Sequence, residues 1–261
     1  MGTRLSVTTH VLVFATSVFA VTFFAGCQRK VKQNGSISES QIGSTLSVDP
    51  NIVLSDYALA AVEATGGHKA WEQTDKLAFG CIVTVYQPDG SIYLTEQRFE
   101  IWPWSNAIRI SGREPEGNFT WQLSGDKFRV KKGPAGSGFL SPEVDKRRYA
   151  EAILQITTGP LRLLDKSAMI SQKKEPIKIK GRRYQIITRS AGTKSFLYQD
   201  RGNSLINMIR YAGDSGSPLA VRGYDYKEVE KDGILAPTRI EIFRTDASGD
   251  LKERLIKVDL D

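Results

Sequence analysis

The chain has 261 residues, with 36 Lys and Arg against 29 Asp and Glu, a net charge of +7. That length suits one strand-rich domain, and so modest a basic excess suits an anionic headgroup surface at least as well as nucleic acid. With only two cysteines and two histidines, the chain has no disulfide framework and no cysteine- or histidine-built metal centre.

The first segment, Met1–Cys27, carries one charge, Arg4, then the apolar run Val11–Ala25 and the small pair Ala25 and Gly26 before Cys27. This is the layout of a secretory signal peptide, and the run is too short to favour a spanning helix of about 20 residues. Phe24-Ala25-Gly26-Cys27 resembles the lipobox of bacterial lipoproteins, with Phe24 where Leu is usual. The resemblance implies that Cys27 is acylated and becomes the first mature residue. An uncleaved anchor, or an ordinary signal peptide with a coincidental cysteine, is the alternative. Two or three acyl chains would hold the protein on a membrane without spanning it. Gln28 in place of Asp implies, by the sorting rule of enteric bacteria, a place at the outer membrane facing the periplasm. Cys81 is then left without an intramolecular partner and is expected as a small buried hydrophobe.

Residues 28–50 are rich in Ser, Gln, Asn and Gly and read as a disordered tether spanning about 25 Å on average. The folded domain is expected over residues 51–261. Ser55 and Asp56 can cap a short helix with Ala58, Leu59 and Val62 on one face, stopped at Gly66-Gly67. A further helical turn, His68–Gln73, carries Trp71. From Leu77 the pattern changes to period two, predicting strands at Leu77–Gln87, Ser91–Ile101, Ala107–Ser111, Phe119–Ser124 and Lys127–Lys131, with a hairpin turn at Pro88–Ser91.

A glycine-rich loop, Gly133–Phe139, interrupts this meander. Ser141-Pro142-Glu143 then offers a capping hydroxyl, a first-turn proline and an acid for an amphipathic helix ending at Gly159-Pro160. Its stripe is Val144, Tyr149, Ala152, Ile153 and Ile156. Strands resume at Pro176–Lys180, Tyr184–Arg189, Lys194–Gln199, Ser204–Tyr211, Leu219–Val229, Thr238–Arg244 and Leu251–Leu260. Ten to twelve strands with two helical interruptions predict a mainly β fold: a curved antiparallel sheet forming an incomplete β-barrel, with one or two helices as a lid.

The helix ending in Ala64–Trp71, the long hairpin from Leu77, Gly181–Ile186, Leu197–Asp200 and Gly233–Ile240 together resemble the Lol-type lipoprotein carriers and receptors of the bacterial envelope. The resemblance covers about residues 55–260. It implies an open barrel whose space beneath the lid receives a lipid or the acyl chains of a lipoprotein, in a monomer with no cofactor and no catalytic role. Candidate lining residues are Phe79, Val83, Phe119, Trp121, Phe128, Phe196 and Tyr198, with Ile153 and Ile156 from the lid. The same side chains can instead simply form a filled core, giving a structural or protein-interaction module. Trp102-Pro103-Trp104 is expected at the barrel rim.

A hydrolase is the distant third reading. Gly213–Pro218 (GDSGSP) resembles the nucleophile segment of chymotrypsin-like proteases, but such a serine needs a histidine base. The only histidine beyond the leader, His68, sits in an unrelated context, and Gly, Asp and Ser are what a hairpin loop requires. The densest basic run spans Lys173–Arg183. In it Lys178 and Lys180 alternate with Ile177 and Ile179, which predicts a cationic strand face, either merely solvated or set against anionic headgroups.

Overall fold

The period-two pattern becomes one antiparallel sheet. Its first half is β1 (Leu77–Tyr86), β2 (Ile92–Trp102), β3 (Ala107–Glu114), β4 (Gly117–Ser124) and β5 (Lys127–Lys132). The second half is β6 (Met169–Gln172), β7 (Ile177–Ile179), β8 (Arg182–Ala191), β9 (Thr193–Asp200), β10 (Ile206–Tyr211), β11 (Leu219–Glu228), β12 (Leu235–Thr245) and β13 (Leu251–Leu260). Helices α1 (Asp56–Glu63) and α2 (Gly67–Glu72) precede the sheet, and α3 (Lys146–Thr158) divides it. These elements come from a computed structural model that describes residues 56–114, 117–133, 139–140, 144–165, 169–173, 175–191, 193–211, 218–229 and 233–261.

The strands run in space β5-β4-β3-β2-β1-β13-β12-β11-β10-β9-β8-β6, with β7 continuing the outer edge of β8. The two halves of the chain meet at β1 and β13, where Val83 lies opposite Val258. The terminal strands β5 and β6 do not pair with each other, so the curved sheet stays an open barrel. Lys127, Arg129, Lys131 and Lys132 leave the β5 edge densely cationic and exposed, a charge pattern that discourages edge-to-edge pairing with a second sheet.

Side-chain alternation decides the two faces. On β1, Leu77, Phe79, Cys81, Val83 and Val85 are buried while the residues between them are exposed or half-exposed. The β1–β2 turn forms where proline and glycine allow it: Gly90 takes φ 82°, its N–H donates to Gln87 O at 3.0 Å, and Asp89 Oδ1 accepts from Ser91 N at 2.9 Å.

Several details differ from the sequence expectation, among them strand ends such as β3, which runs on to Glu114, and β12, which begins at Leu235. Leu59 is 50% exposed, and Ala58, Ala61 and Val62 carry the buried face of α1 instead. The α3 helix begins at Lys146, capped by Asp145, whose side chain accepts from Arg148 N at 2.8 Å; Ser141–Glu143 lies outside the described residues. The four-residue β6 has no apolar alternation long enough to register as a strand. Strand β8 starts two residues early because Lys180 and Gly181 both adopt positive φ (46° and 85°), the geometry of a two-residue hairpin turn from β7.

Candidate ligand-binding site

Helix α3 lies across the mouth of the open sheet. It touches β3 and β4 on one flank and β10, β11 and β12 on the other. Its sequence explains the placement: Arg147 and Glu151 pair at 2.7 Å on the solvent side, while Tyr149, Ala152, Ile153 and Ile156 are buried. Beyond Thr158 the chain tightens into a 3-10 turn, Pro160–Leu164. There Arg162, buried, donates to Pro103 O at 3.2 Å and fastens the end of the helical segment to the β2–β3 turn. Burial lowers the Arg162 guanidinium pKa to about 9, with a smaller push from Arg189.

Beneath α3 lies an aromatic cluster. Phe119 and Trp121 stack with ring centres 4.4 Å apart. Phe139 stacks on Trp121 at 5.9 Å, and Tyr149 meets Trp121 and Phe99 edge-on at 6.4 and 6.3 Å. Lys146 Nζ sits 4.9 Å from the Trp121 ring centre, a cation over a π face.

The Tyr149 hydroxyl donates to Gln97 Oε1 at 3.0 Å, and burial holds its pKa well above the ordinary value. Among the described residues, the buried Gln97 Nε2 and Trp121 Nε1 find no acceptor. Each such orphan donor costs about 1–3 kcal/mol. Cys81 lies under the same helix, its thiol donating to Gln97 O at 3.4 Å. Burial raises its pKa to about 12.

Phe79, Val83, Phe119, Trp121, Ile153 and Ile156 all lie in this single core, and Phe128 packs against it half-buried. Phe196 and Tyr198 do not join them. Both belong to a separate cluster with Tyr184, Ile186 and Met208, while the residue between them, Leu197, enters the main core. Because Phe196, Leu197 and Tyr198 are all apolar, alternation on β9 does not reveal which phase points inward. Phe99, Tyr149 and Phe139 complete the cluster and were not among the candidate lining residues. Phe99 was legible, since it lies directly opposite Phe79; Phe139 sits in a loop with no period.

At the rim, Trp104 Nε1 donates to Trp71 O at 2.8 Å and Arg109 lies 5.2 Å from the Trp102 ring centre, so the Trp102–Trp104 turn is packed in place. His68 faces Glu72 at 3.3 Å. Cys27 and residues 212–217 lie outside the described residues. Among the described residues, no three His, Cys, Asp or Glu side chains are grouped to hold a metal ion.

No protein-family model matches the chain, and no curated protein sequence does. Solved structures similar in fold include three from bacteria. A LolA superfamily protein, NE2245 from Nitrosomonas europaea, is 15% identical with a TM-score of 0.52, over 80% of this chain and 92% of its own. A DUF1329 family protein from Desulfovibrio piger is 10% identical with a TM-score of 0.43, over 78% and 90%. An outer membrane lipoprotein-sorting protein domain from Vibrio parahaemolyticus, described as putative, is 10% identical with a TM-score of 0.40, over 78% and 91%. The open barrel with its lid helix thus shares its fold with the Nitrosomonas europaea protein.

Proposed function

We propose that this chain is a membrane-anchored envelope lipoprotein whose open barrel binds a hydrophobic ligand, a lipid or the acyl chains of a lipoprotein, beneath α3, without catalysis. The observation that carries this reading is the bridging position of α3, which covers the apolar concave face and contacts both flanks of a sheet that does not close. A lid held from outside by side-chain contacts can lift without breaking a single sheet hydrogen bond. The surface it uncovers is apolar, and acyl chains are the ligand that replaces such contacts without hydrogen-bonding needs.

The tight stacking of Phe119, Trp121, Phe139 and Tyr149 favours a second reading, a module with a permanently filled core. Displacement separates the two. Lipid-free protein lacking residues 1–27 is titrated with a fluorescent fatty acid while Cys81, its sole thiol, is labelled with a thiol reagent. Acyl binding predicts a saturable fluorescence change and Cys81 labelling that ligand alters. Absence of both assigns the protein to the filled-core reading.

A further inference from the structure

The face of β8 and β9 that enters the core ends in a row of cations. Lys178 on β7 lies directly opposite Arg183 on β8. The Tyr184–Asp200 pairing continues one step further, with Arg201 N donating to Arg183 O at 3.0 Å. Residues opposite each other in a sheet share a face, so Lys178, Arg183 and Arg201 stand side by side, all exposed.

Among the described residues, the carboxylate at this place, that of Asp200, is already engaged. Asp200 Oδ2 takes Arg182 at 3.3 Å, and its Oδ1 accepts from Gly202 N at 2.8 Å, ordering the turn after β9. Among the described residues, no acid lies within ion-pairing distance of Lys178, Arg183 or Arg201. Like charges set directly opposite one another are unfavourable, and an anion bound across them reverses the sign of that interaction. Arg183 and Arg201, with Arg182, Asp200, Gly202 and Asn203, line a surface cleft of about 650 Å³.

The same face changes character in steps toward the interior. One row inward, Gln185 lies opposite Gln199, 1% and 2% exposed. A row further, Ile187 lies opposite Leu197, and both are in the main core. Over about 13 Å of strand this face therefore passes from apolar to cationic through a buried amide row, in which Gln185 Nε2 donates to Lys173 O and Gln199 Nε2 to Tyr57 O and Ser204 O. That order matches a molecule with an acyl tail, a polar linkage and an anionic head.

We propose that the Lys178–Arg183–Arg201 row recognises the phosphate of an anionic phospholipid whose acyl part enters the barrel. The proposal rests on the acyl-binding reading and narrows it, since the arginine fork matches phosphate oxygens and the acylated end of a lipoprotein carries no phosphate.

The full chain in phosphatidylcholine nanodiscs is titrated with dihexanoyl-phosphatidylglycerol, dihexanoylglycerol and glycerol 3-phosphate, with binding read by native mass spectrometry. The comparison is with a variant carrying Arg183→Gln and Arg201→Gln, whose thermal melt serves as the control for folding. The expected result is at least a tenfold preference for the phospholipid over the diacylglycerol, lost in the variant while diacylglycerol affinity is unchanged. Equal affinity for the two lipids in the wild type overturns the headgroup role and leaves acyl binding intact. A preference retained in the variant overturns the assignment to these arginines. Binding of glycerol 3-phosphate alone assigns the row to a free phosphoester and overturns the phospholipid, and binding of none of the three overturns both readings.

Discussion

Cys81 shows how one burial position sets both a pH dependence and a probe. Its thiol is enclosed beneath α3 and has a pKa of about 12 where the ordinary value is 9.0. In the unfolded chain it ionises first, so between those two values the folded state holds the extra proton and stability falls as pH rises. Relative to Cys81→Ala, the wild type is expected to lose about 2 kcal/mol between pH 9 and 11. Urea midpoints of the two proteins across that range measure it; parallel curves would mean the thiol is solvated. At Gly112 the constraint is steric. An added Cβ would come within 2.8 Å of Glu96 O and 2.9 Å of the Phe119 ring, so Gly112→Ala pushes on the stacked Phe119–Trp121 pair. Overpacking of this kind costs about 1–3 kcal/mol, and the expected signature in near-ultraviolet circular dichroism is a changed tryptophan band.

At the scale of elements, α3 is the piece whose stability is separable from the sheet. Its first turn depends on Asp145, which satisfies Arg148 N. Asp145→Ala removes that cap at a cost of about 1 kcal/mol. If the helix opens as a unit, its open population rises about fivefold, and Cys81 labelling should accelerate by the same factor while the global melt shifts little. Labelling that follows global unfolding instead would tie the lid to the sheet. The elements themselves were largely legible, because a strand with one buried face writes its alternation into the sequence, as β1 does. What escaped reading is physical too. The β6 strand is four residues long, Leu59 lost to smaller residues the competition for the α1 face, and β9 is apolar on both phases, which hid the outward direction of Phe196 and Tyr198. The cationic row was half legible: alternation placed Lys178 opposite the isoleucine face, but only the fold brings Arg201 beside Arg183.

On the scale of the whole molecule, the basic rim of the barrel and the proposed anchor would favour the same ligand class. The tether expected over residues 28–50 would give the domain a mean reach of about 25 Å, enough to meet the surface to which Cys27 would be fixed. A net charge of +7, only one unit of it in the leader, favours contact with anionic headgroups within a Debye length of about 8 Å. The proposed anchor would therefore raise the local concentration of the ligand class proposed for the barrel, whereas an unanchored domain would have to find it by diffusion. Cys27→Ser isolates this contribution. The variant is expected to lose incorporation of radiolabelled palmitate and the mass of the acyl chains, to retain its leader, and to keep the folded domain's affinity for soluble short-chain lipid. Palmitate incorporation that survives the substitution would move acylation elsewhere, and because Cys81 is buried and its thiol pKa is raised to about 12, that outcome would also require a different anchoring chemistry.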